Sequence, residues 1–149
     1  MTVTNNKSSA EIIHELSERG YKKTKVRQEL IGYLNKLKKP IDAVELLVYL
    51  KKKGIEVNKT TVYRELNFLL KQGVIVDIYF DDDKTYYEIA GLPHHHHLVC
   101  RSCKIVEDVY AEGDVCLLEK KIMKETNFVI EKHSLEFFGL CRLCQKSCA

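Results

Sequence analysis

Two Cys-x-x-Cys pairs constrain the fold of this chain more than any other feature. Cys100 and Cys103 form the first pair, and Cys141 and Cys144 form the second. The polar segment 1–9 lacks the apolar stretch of a signal peptide, so we expect a cytoplasmic chain in which disulfides are disfavoured. Four thiolates complete the shell of a tetrahedral zinc ion and leave no position for a substrate. We therefore predict a structural zinc that ties the first strand of a second domain to its last turn.

Four consecutive histidines, His94 to His97, stand just before the first cysteine pair. Residues of an extended segment alternate between two faces, so we expect His95 and His97 to point one way and His94 and His96 the other. Each pair can donate two imidazoles, and the tetrapeptide can therefore serve two metal sites. A set of imidazoles and carboxylates favours Fe(II), Mn(II), Zn(II) or Ni(II) over Cu(I).

Other residues are candidates to complete these two sites. Glu88, at the end of a predicted hairpin, and Asp108, on a predicted strand, could join His95 and His97. His133 could join His94 and His96, or could instead be a histidine of the hydrophobic core. The candidate fourth ligands of this second site are Cys116, Glu112 and Glu119. We expect the remaining cysteine, Cys148, to be an exposed thiol.

The first half of the chain has the periodicity of four helices. Apolar residues recur at helical spacing in four stretches, which are 12–16, 26–37, 43–50 and 62–70. Asp42 and Asn58 are the predicted N-caps of the third and fourth helices, and Gly54 and Gly73 are predicted to follow the ends of those helices.

Two β-rich segments follow, Val74–Phe80 and Thr85–Ile89, on either side of an acidic turn at 81–83. Helices closed by a β-hairpin predict a winged helix-turn-helix, and 91–93 is a predicted hinge. In the second half we predict strands at His94–Cys100 and Ile105–Tyr110, a helix from Val115 to about Lys124, and a long strand at 128–140. The predicted fold class is α+β, with an N-terminal winged helix-turn-helix domain at 1–90 and a C-terminal α/β domain at 91–149.

The net charge of +3 is unevenly distributed. Residues 1–80 hold 15 Lys and Arg against 9 Asp and Glu, whereas residues 81–149 hold 9 against 12. A basic half suits a polyanion, because its cations displace counterions condensed on phosphates. A lysine-rich solvated surface is the other interpretation. No apolar run approaches the ~20 residues that a membrane span needs, so we expect no membrane partner.

The fourth helix has the pattern of a DNA-recognition helix. Its apolar residues would be buried, and its polar face would lie in the major groove, with the N-terminal residues at the base edges. Lys22, Lys23, Lys25 and Arg27, near the start of the second helix, could hold the DNA backbone or enter the minor groove. The candidate DNA-contacting residues of the fourth helix are Lys59, Thr60, Thr61, Tyr63, Arg64 and Asn67.

Four segments together resemble the ferric uptake regulator (Fur) family in order and spacing. They are Thr60-Thr-Val-Tyr-Arg-Glu-Leu, His94-His-His-His-Leu-Val-Cys-Arg-Ser-Cys, His133-Ser-Leu-Glu-Phe-Phe-Gly-Leu-Cys and the final Cys-x-x-Cys. The resemblance spans roughly 10–146. It implies a homodimer that binds double-stranded operator DNA and represses genes when loaded with a divalent metal, with a C-terminal α/β dimerisation domain at 91–149.

The resemblance also implies roles for individual residues. Tyr63 and Arg64 would contact DNA from the recognition helix, and Lys22 would enter the minor groove. The regulatory metal, which we expect to be iron with manganese or zinc as alternatives, would take Glu88, His95, His97 and Asp108. A second site would take His94, His96 and His133, with Cys116 or a nearby acid as fourth ligand, and the structural zinc would take Cys100, Cys103, Cys141 and Cys144.

This sequence departs from the family pattern at one telling place. The family usually has a histidine before the third helix that reaches the regulatory metal, whereas this chain has Lys38-Lys39-Pro40-Ile41. The link to the metal would then rest on Glu88 alone or on water. Asp108 is typical of peroxide-sensing members, so a peroxide-sensing regulator and a zinc- or manganese-responsive regulator are alternatives within the family.

Two other classes of function compete with this interpretation. A zinc hydrolase or deaminase needs an open zinc and a glutamate base. The second cysteine pair closes the neighbouring ion, and the sequence lacks the His-x-Glu and Pro-Cys-x-x-Cys signature. A zinc-ribbon interaction module would leave the basic half and the Tyr63/Arg64 face without a use. We therefore expect a regulator and not an enzyme.

Overall fold

The structure is a computed structural model that describes residues 7–81, 84–110 and 114–147. It divides into two compact units, Met1–Pro93 and His94–Ala149. The centre of the acidic turn at 82–83, Glu112 and Cys148 lie outside the described residues.

The first unit begins with four helices, as the apolar periodicity predicts. They are α1 (Ser9–Glu18), α2 (Lys25–Leu37), α3 (Ala43–Lys52) and α4 (Lys59–Lys71). Asp42 caps α3 by accepting the backbone N–H of Glu45, and Asn58 caps α4 by accepting that of Thr61. Gly54 and Gly73 follow the two helices at φ of 73° and 68°, a conformation that glycine adopts without strain.

A three-stranded antiparallel sheet completes the first unit. Its strands are β1 (Ile41–Asp42), β2 (Ile75–Asp81) and β3 (Lys84–Ile89), in the order β1-β3-β2. The hairpin of β2 and β3 is the wing that the sequence predicts, while the two-residue β1 was not predicted. The core is formed by the apolar faces of all four helices together with Ile41, Ile75, Tyr87 and Ile89. This packing holds α4 on the unit with one face buried and the other in solvent.

The second unit is built around another three-stranded sheet. Its strands are β4 (His96–Cys100), β5 (Val106–Val109) and β6 (Glu136–Gly139), in the order β5-β4-β6. Strand β4 is antiparallel to β5 and parallel to β6. Helix α5 (Asp114–Thr126) precedes β6, and a short helix α6 (Arg142–Ser147), which was not predicted, follows it.

The predicted long strand at 128–140 is wrong. Only Glu136–Gly139 pairs with a neighbouring strand, and Asn127 at φ 54° separates α5 from an irregular segment. Phe128 and Val129 expose 68% and 76% of their surface, so these apolar residues make little contact with the described part of the unit. Among the described helices, none is both long and apolar enough to cross a membrane.

Candidate metal centres and nucleic-acid interface

Four cysteines of the second unit converge on one point. Cys100 ends β4, Cys103 lies in the turn after it, and Cys141 and Cys144 lie just before and within α6. Their four sulfurs all lie within 4.8 Å of one another. The Sγ atoms of Cys103 and Cys141 are 3.7 Å apart, close to the roughly 3.8 Å that separates two sulfurs bound at about 2.3 Å to a tetrahedral ion. The set therefore fits a structural zinc.

Local hydrogen bonds prepare Cys100 as a thiolate. The backbone N–H of Cys141 donates to Cys100 Sγ over 3.3 Å. This bond, followed by one from the backbone of Cys103, lowers the pKa of Cys100 to about 6. The pairing of β4 with β6 positions the donor, because Cys100 lies opposite Gly139, two residues before Cys141. A thiolate is the form of cysteine that binds metal, so the fold favours zinc uptake at this residue.

The histidine run separates into two clusters. The ring centroids of His95 and His97 are 4.9 Å apart, and those of His94 and His96 are 4.8 Å apart. Two imidazole pairs on opposite sides of one short segment are the arrangement that strand alternation predicts. Each pair meets a different third residue of the same unit.

The first cluster contains His95, His97 and Asp108. Strands β4 and β5 place His97 opposite Asp108, and His97 Nε2 lies 3.7 Å from Asp108 Oδ1. One ligand atom from each of the three residues lies within 4.8 Å of the other two. His97 is 7% exposed, so this nitrogen-and-oxygen ligand set is largely shielded from water. Glu88, the fourth residue predicted here, is buried on β3 of the first unit.

The second cluster contains His94, His96 and His133, whose ligand atoms also lie within 4.8 Å of one another. His96 is 3% exposed, and within the described part of the chain its Nε2 has no hydrogen-bond partner. A buried nitrogen without a hydrogen-bond partner destabilises the fold, because it has lost its contact with water. A metal ion bound to this nitrogen would offset that cost. Burial, and then the neighbouring His94 and His133, lower the pKa of His96 and keep its ring neutral, as a metal ligand must be.

Glu119 on α5 contacts the second cluster through His133. Its Oε1 lies 2.5 Å from His133 Nδ1. At this separation the two atoms form a hydrogen bond. A carboxylate in this position fixes the tautomer of the ring and its orientation. Cys116, the other candidate on α5, is exposed and outside the cluster of ligand atoms.

The outer face of α4 is available to a partner. Val62, Leu66 and Leu69 are fully buried, which turns the opposite side of the helix to solvent. Thr61 is half-buried, and its hydroxyl donates to Asn58 Oδ1 over 3.0 Å, so its side chain is part of the helix cap. The exposed residues of this face are Lys59, Thr60, Tyr63, Arg64 and Asn67.

The basic residues around the start of α2 differ in their exposure. Lys22, Lys23 and Lys25 are exposed, as expected of groups that could hold a phosphate backbone. Arg27 differs, because its side chain is only 11% exposed and its guanidinium forms a salt bridge with Glu65 of α4. Direct contact between Arg27 and DNA, which the sequence suggested, is therefore wrong for this conformation.

Comparison with known proteins gives a consistent result. The model of the ferric uptake regulator family matches residues 18–138. The ferric uptake regulation protein of Bordetella parapertussis is 29% identical over 133 residues, which cover 89% of this chain and 95% of the relative. The ferric uptake regulator of Francisella tularensis, solved with iron, superposes with a TM-score of 0.74 at 27% identity over 85% of this chain and 96% of its own. A zinc uptake regulator complexed with zinc and DNA gives a TM-score of 0.62 at 25% identity over 95% and 97%.

Proposed function

Because the chain belongs to the ferric uptake regulator family of metal-responsive transcriptional regulators, we propose that it is a cytoplasmic repressor that binds operator DNA when a divalent metal fills its regulatory site. The observation that carries this proposal is the separation of one histidine run into two ligand clusters beside a four-cysteine cluster. The three sets differ in donor chemistry, so one chain can hold a permanent ion and an exchangeable ion.

The four-thiolate set is the permanent site. With four sulfurs bound, zinc has no open position, and its binding free energy contributes directly to folding. His95, His97 and Asp108 form the regulatory site, and the resemblance adds Glu88 of the winged-helix domain. Iron is the metal we expect there, with manganese or zinc as alternatives. The set of His94, His96 and His133, supported by Glu119, holds a second divalent ion.

The DNA-binding domain of this proposal is 1–90, and α4 is its recognition helix. Arg64 can donate two hydrogen bonds to a guanine, and Tyr63 and Thr60 can contact a thymine methyl or a phosphate. Lys22 enters the minor groove. A metal changes operator affinity only if it binds the DNA-competent conformation more tightly than the other conformations.

The second domain, 91–149, dimerises. Many of its apolar side chains are exposed, and exposed apolar surface of this kind indicates an interface with another protein. A second copy of the chain would cover these side chains. Two winged helices in one dimer then read two half-sites of an inverted repeat. The exposed apolar residues include Leu117, Leu118, Phe128, Val129 and Phe137.

A metal titration tests the proposal. Protein that retains only its structural zinc is titrated with Fe(II), Mn(II), Zn(II) or Ni(II), and the anisotropy of a labelled promoter duplex is followed. We expect at least one metal to raise DNA affinity about tenfold or more, as coupling free energies of 1–3 kcal/mol give. His97→Ala should lose this response, and His14→Ala, which changes an exposed histidine on α1, should keep it. Equal DNA affinity with and without every metal would overturn the proposal.

A second function within the family is peroxide sensing, which Asp108 favours. Loss of DNA binding after treatment of the Fe(II)-loaded protein with hydrogen peroxide, but not of the Mn(II)-loaded protein, would support it.

A further inference from the structure

The loop between α1 and α2 is attached to the recognition helix. The ring of Tyr21 packs edge-on against Phe68, with 4.9 Å between the centroids. The Tyr21 hydroxyl accepts a hydrogen bond from Gln72 Nε2 over 3.2 Å. The loop also carries the exposed Lys22, so its attachment fixes the position of the Lys22 backbone relative to α4.

Arg27 joins the loop to α4 through one guanidinium group. Its Nε and Nη2 donate to the two carboxylate oxygens of Glu65, each over 3.0 Å. Its Nη1 donates to the backbone carbonyl of Lys22 over 2.6 Å. The group also lies over the face of Phe68, with 3.9 Å from Cζ to the ring centroid.

We propose that Arg27 is a positioning residue for DNA recognition, which holds the backbone of Lys22 at a fixed distance from α4 so that the minor-groove lysine and the major-groove helix bind as one rigid element. This inference rests on the proposed function. The planar guanidinium makes the three contacts in a fixed fork, which the single ammonium of a lysine does not reproduce. Binding then costs less conformational entropy, because the loop is ordered before DNA arrives.

The salt bridge has a second effect on the same surface. Glu65 lies on α4, where a bare carboxylate would repel DNA phosphates. Its two oxygens are both bonded to Arg27, which neutralises the charge. Arg27 therefore assists DNA binding without pointing at DNA, and removal of the guanidinium would both free the loop and expose this carboxylate.

A double-mutant cycle separates positioning from general stability. The probe is a duplex that the Mn(II)-loaded wild-type protein selects from a random-sequence pool, and the variants are Lys22→Ala, Arg27→Lys and the double variant. We expect Lys22→Ala to weaken binding about tenfold in the wild-type background and less than about threefold in the Arg27→Lys background. The slope of log K against the logarithm of the salt concentration should become shallower by about 1 with Lys22→Ala, and only in the wild-type background.

Controls make the outcome decisive. Arg19→Lys alters an exposed arginine that donates one 3.5 Å bond to Gln72, and it should leave the cost of Lys22→Ala unchanged. Urea unfolding checks that Arg27→Lys folds. If it does not, Glu65→Gln replaces it, because this variant also removes the salt bridge between Arg27 and Glu65. An equal cost of Lys22→Ala in all backgrounds would overturn the positioning role while leaving the regulator intact. Selection of no duplex by the wild-type protein would overturn the proposed function as well.

Discussion

His133 Nδ1 lies 2.5 Å from Glu119 Oε1, which joins the segment before β6 to helix α5. The ring of His133 lies 4.8 Å from that of His94 and 5.7 Å from that of His96, centroid to centroid. Metal-ligating histidines commonly depend on such a carboxylate for orientation. The second metal cluster therefore extends beyond its three imidazoles.

Glu119→Gln should weaken divalent metal binding at this cluster by about 10- to 100-fold, as loss of an orienting carboxylate does. Competition with a chromophoric chelator on protein that retains its structural zinc measures the affinity. Glu125→Gln is the matched control, because Glu125 is exposed on the same helix and pairs only loosely with Lys121 at 3.9 Å. Unchanged affinity in Glu119→Gln would contradict the orienting role.

Loss of one zinc thiolate should unfold the second unit. Cys144→Ser breaks a closed four-sulfur shell, and structural zinc contributes about 10–16 kcal/mol of apparent binding free energy in small zinc domains. We expect loss of the tightly bound zinc and of the thermal transition of this unit, measured by metal analysis and calorimetry. Cys116→Ser changes an exposed cysteine outside the cluster and should behave like the wild type. A full equivalent of zinc retained by Cys144→Ser would be inconsistent with the four-cysteine site.

Arg64→Ala should weaken operator binding by about 1–3 kcal/mol, because a side chain that reads a base by two hydrogen bonds is lost. Arg64 is exposed on α4, so the free energy of unfolding should change little. Arg64→Lys keeps the charge but not the bidentate geometry, and should relax sequence discrimination while it retains the salt dependence. Anisotropy titrations with matched and mutated duplexes measure both effects. Wild-type affinity in Arg64→Ala would remove this residue from the interface.

Asn58→Ala should destabilise the first unit by about 1 kcal/mol through loss of an N-cap. Asn58 Oδ1 accepts the backbone N–H of Thr61 over 2.8 Å and its hydroxyl over 3.0 Å. Urea unfolding provides the measurement. Thr61→Val removes only the hydroxyl bond and should cost less than Asn58→Ala. A larger cost for Thr61→Val would mean that Thr61 has a role beyond the cap.

Most of the first unit could be predicted from the sequence, because its signals are local. Apolar spacing and the capping residues Asp42 and Asn58 are features of consecutive residues, and they predict all four helices. The alternation of the histidines is local as well. The two-residue strand β1 carries no such signal, since its pairing with β3 depends on residues more than 40 positions away.

The predictions from the sequence failed where the partner of a side chain is determined by the tertiary fold. Arg27 resembles the lysines around it in sequence, and only the tertiary fold brings its guanidinium within hydrogen-bond distance of Glu65, 38 residues further along the chain. The apolar residues Phe128 and Val129 suggested a strand, yet they are exposed and unpaired with any sheet in the described unit. Glu119 was one of three candidate acids or thiols, and the approach of α5 to His133 distinguishes it from Cys116.

Strand β4 carries both kinds of metal ligand within five residues, and β5 and β6 hold it on either side. A slip of β4 by one residue against those neighbours would turn every side chain to the opposite face. The two imidazole pairs would then trade places, and Cys100 would leave the other three thiolates. A zinc ion bound at Cys100 would therefore hold β4 in the register that separates the two histidine pairs. We expect a one-residue insertion between His97 and Cys100 to disrupt the cysteine cluster and the histidine clusters together.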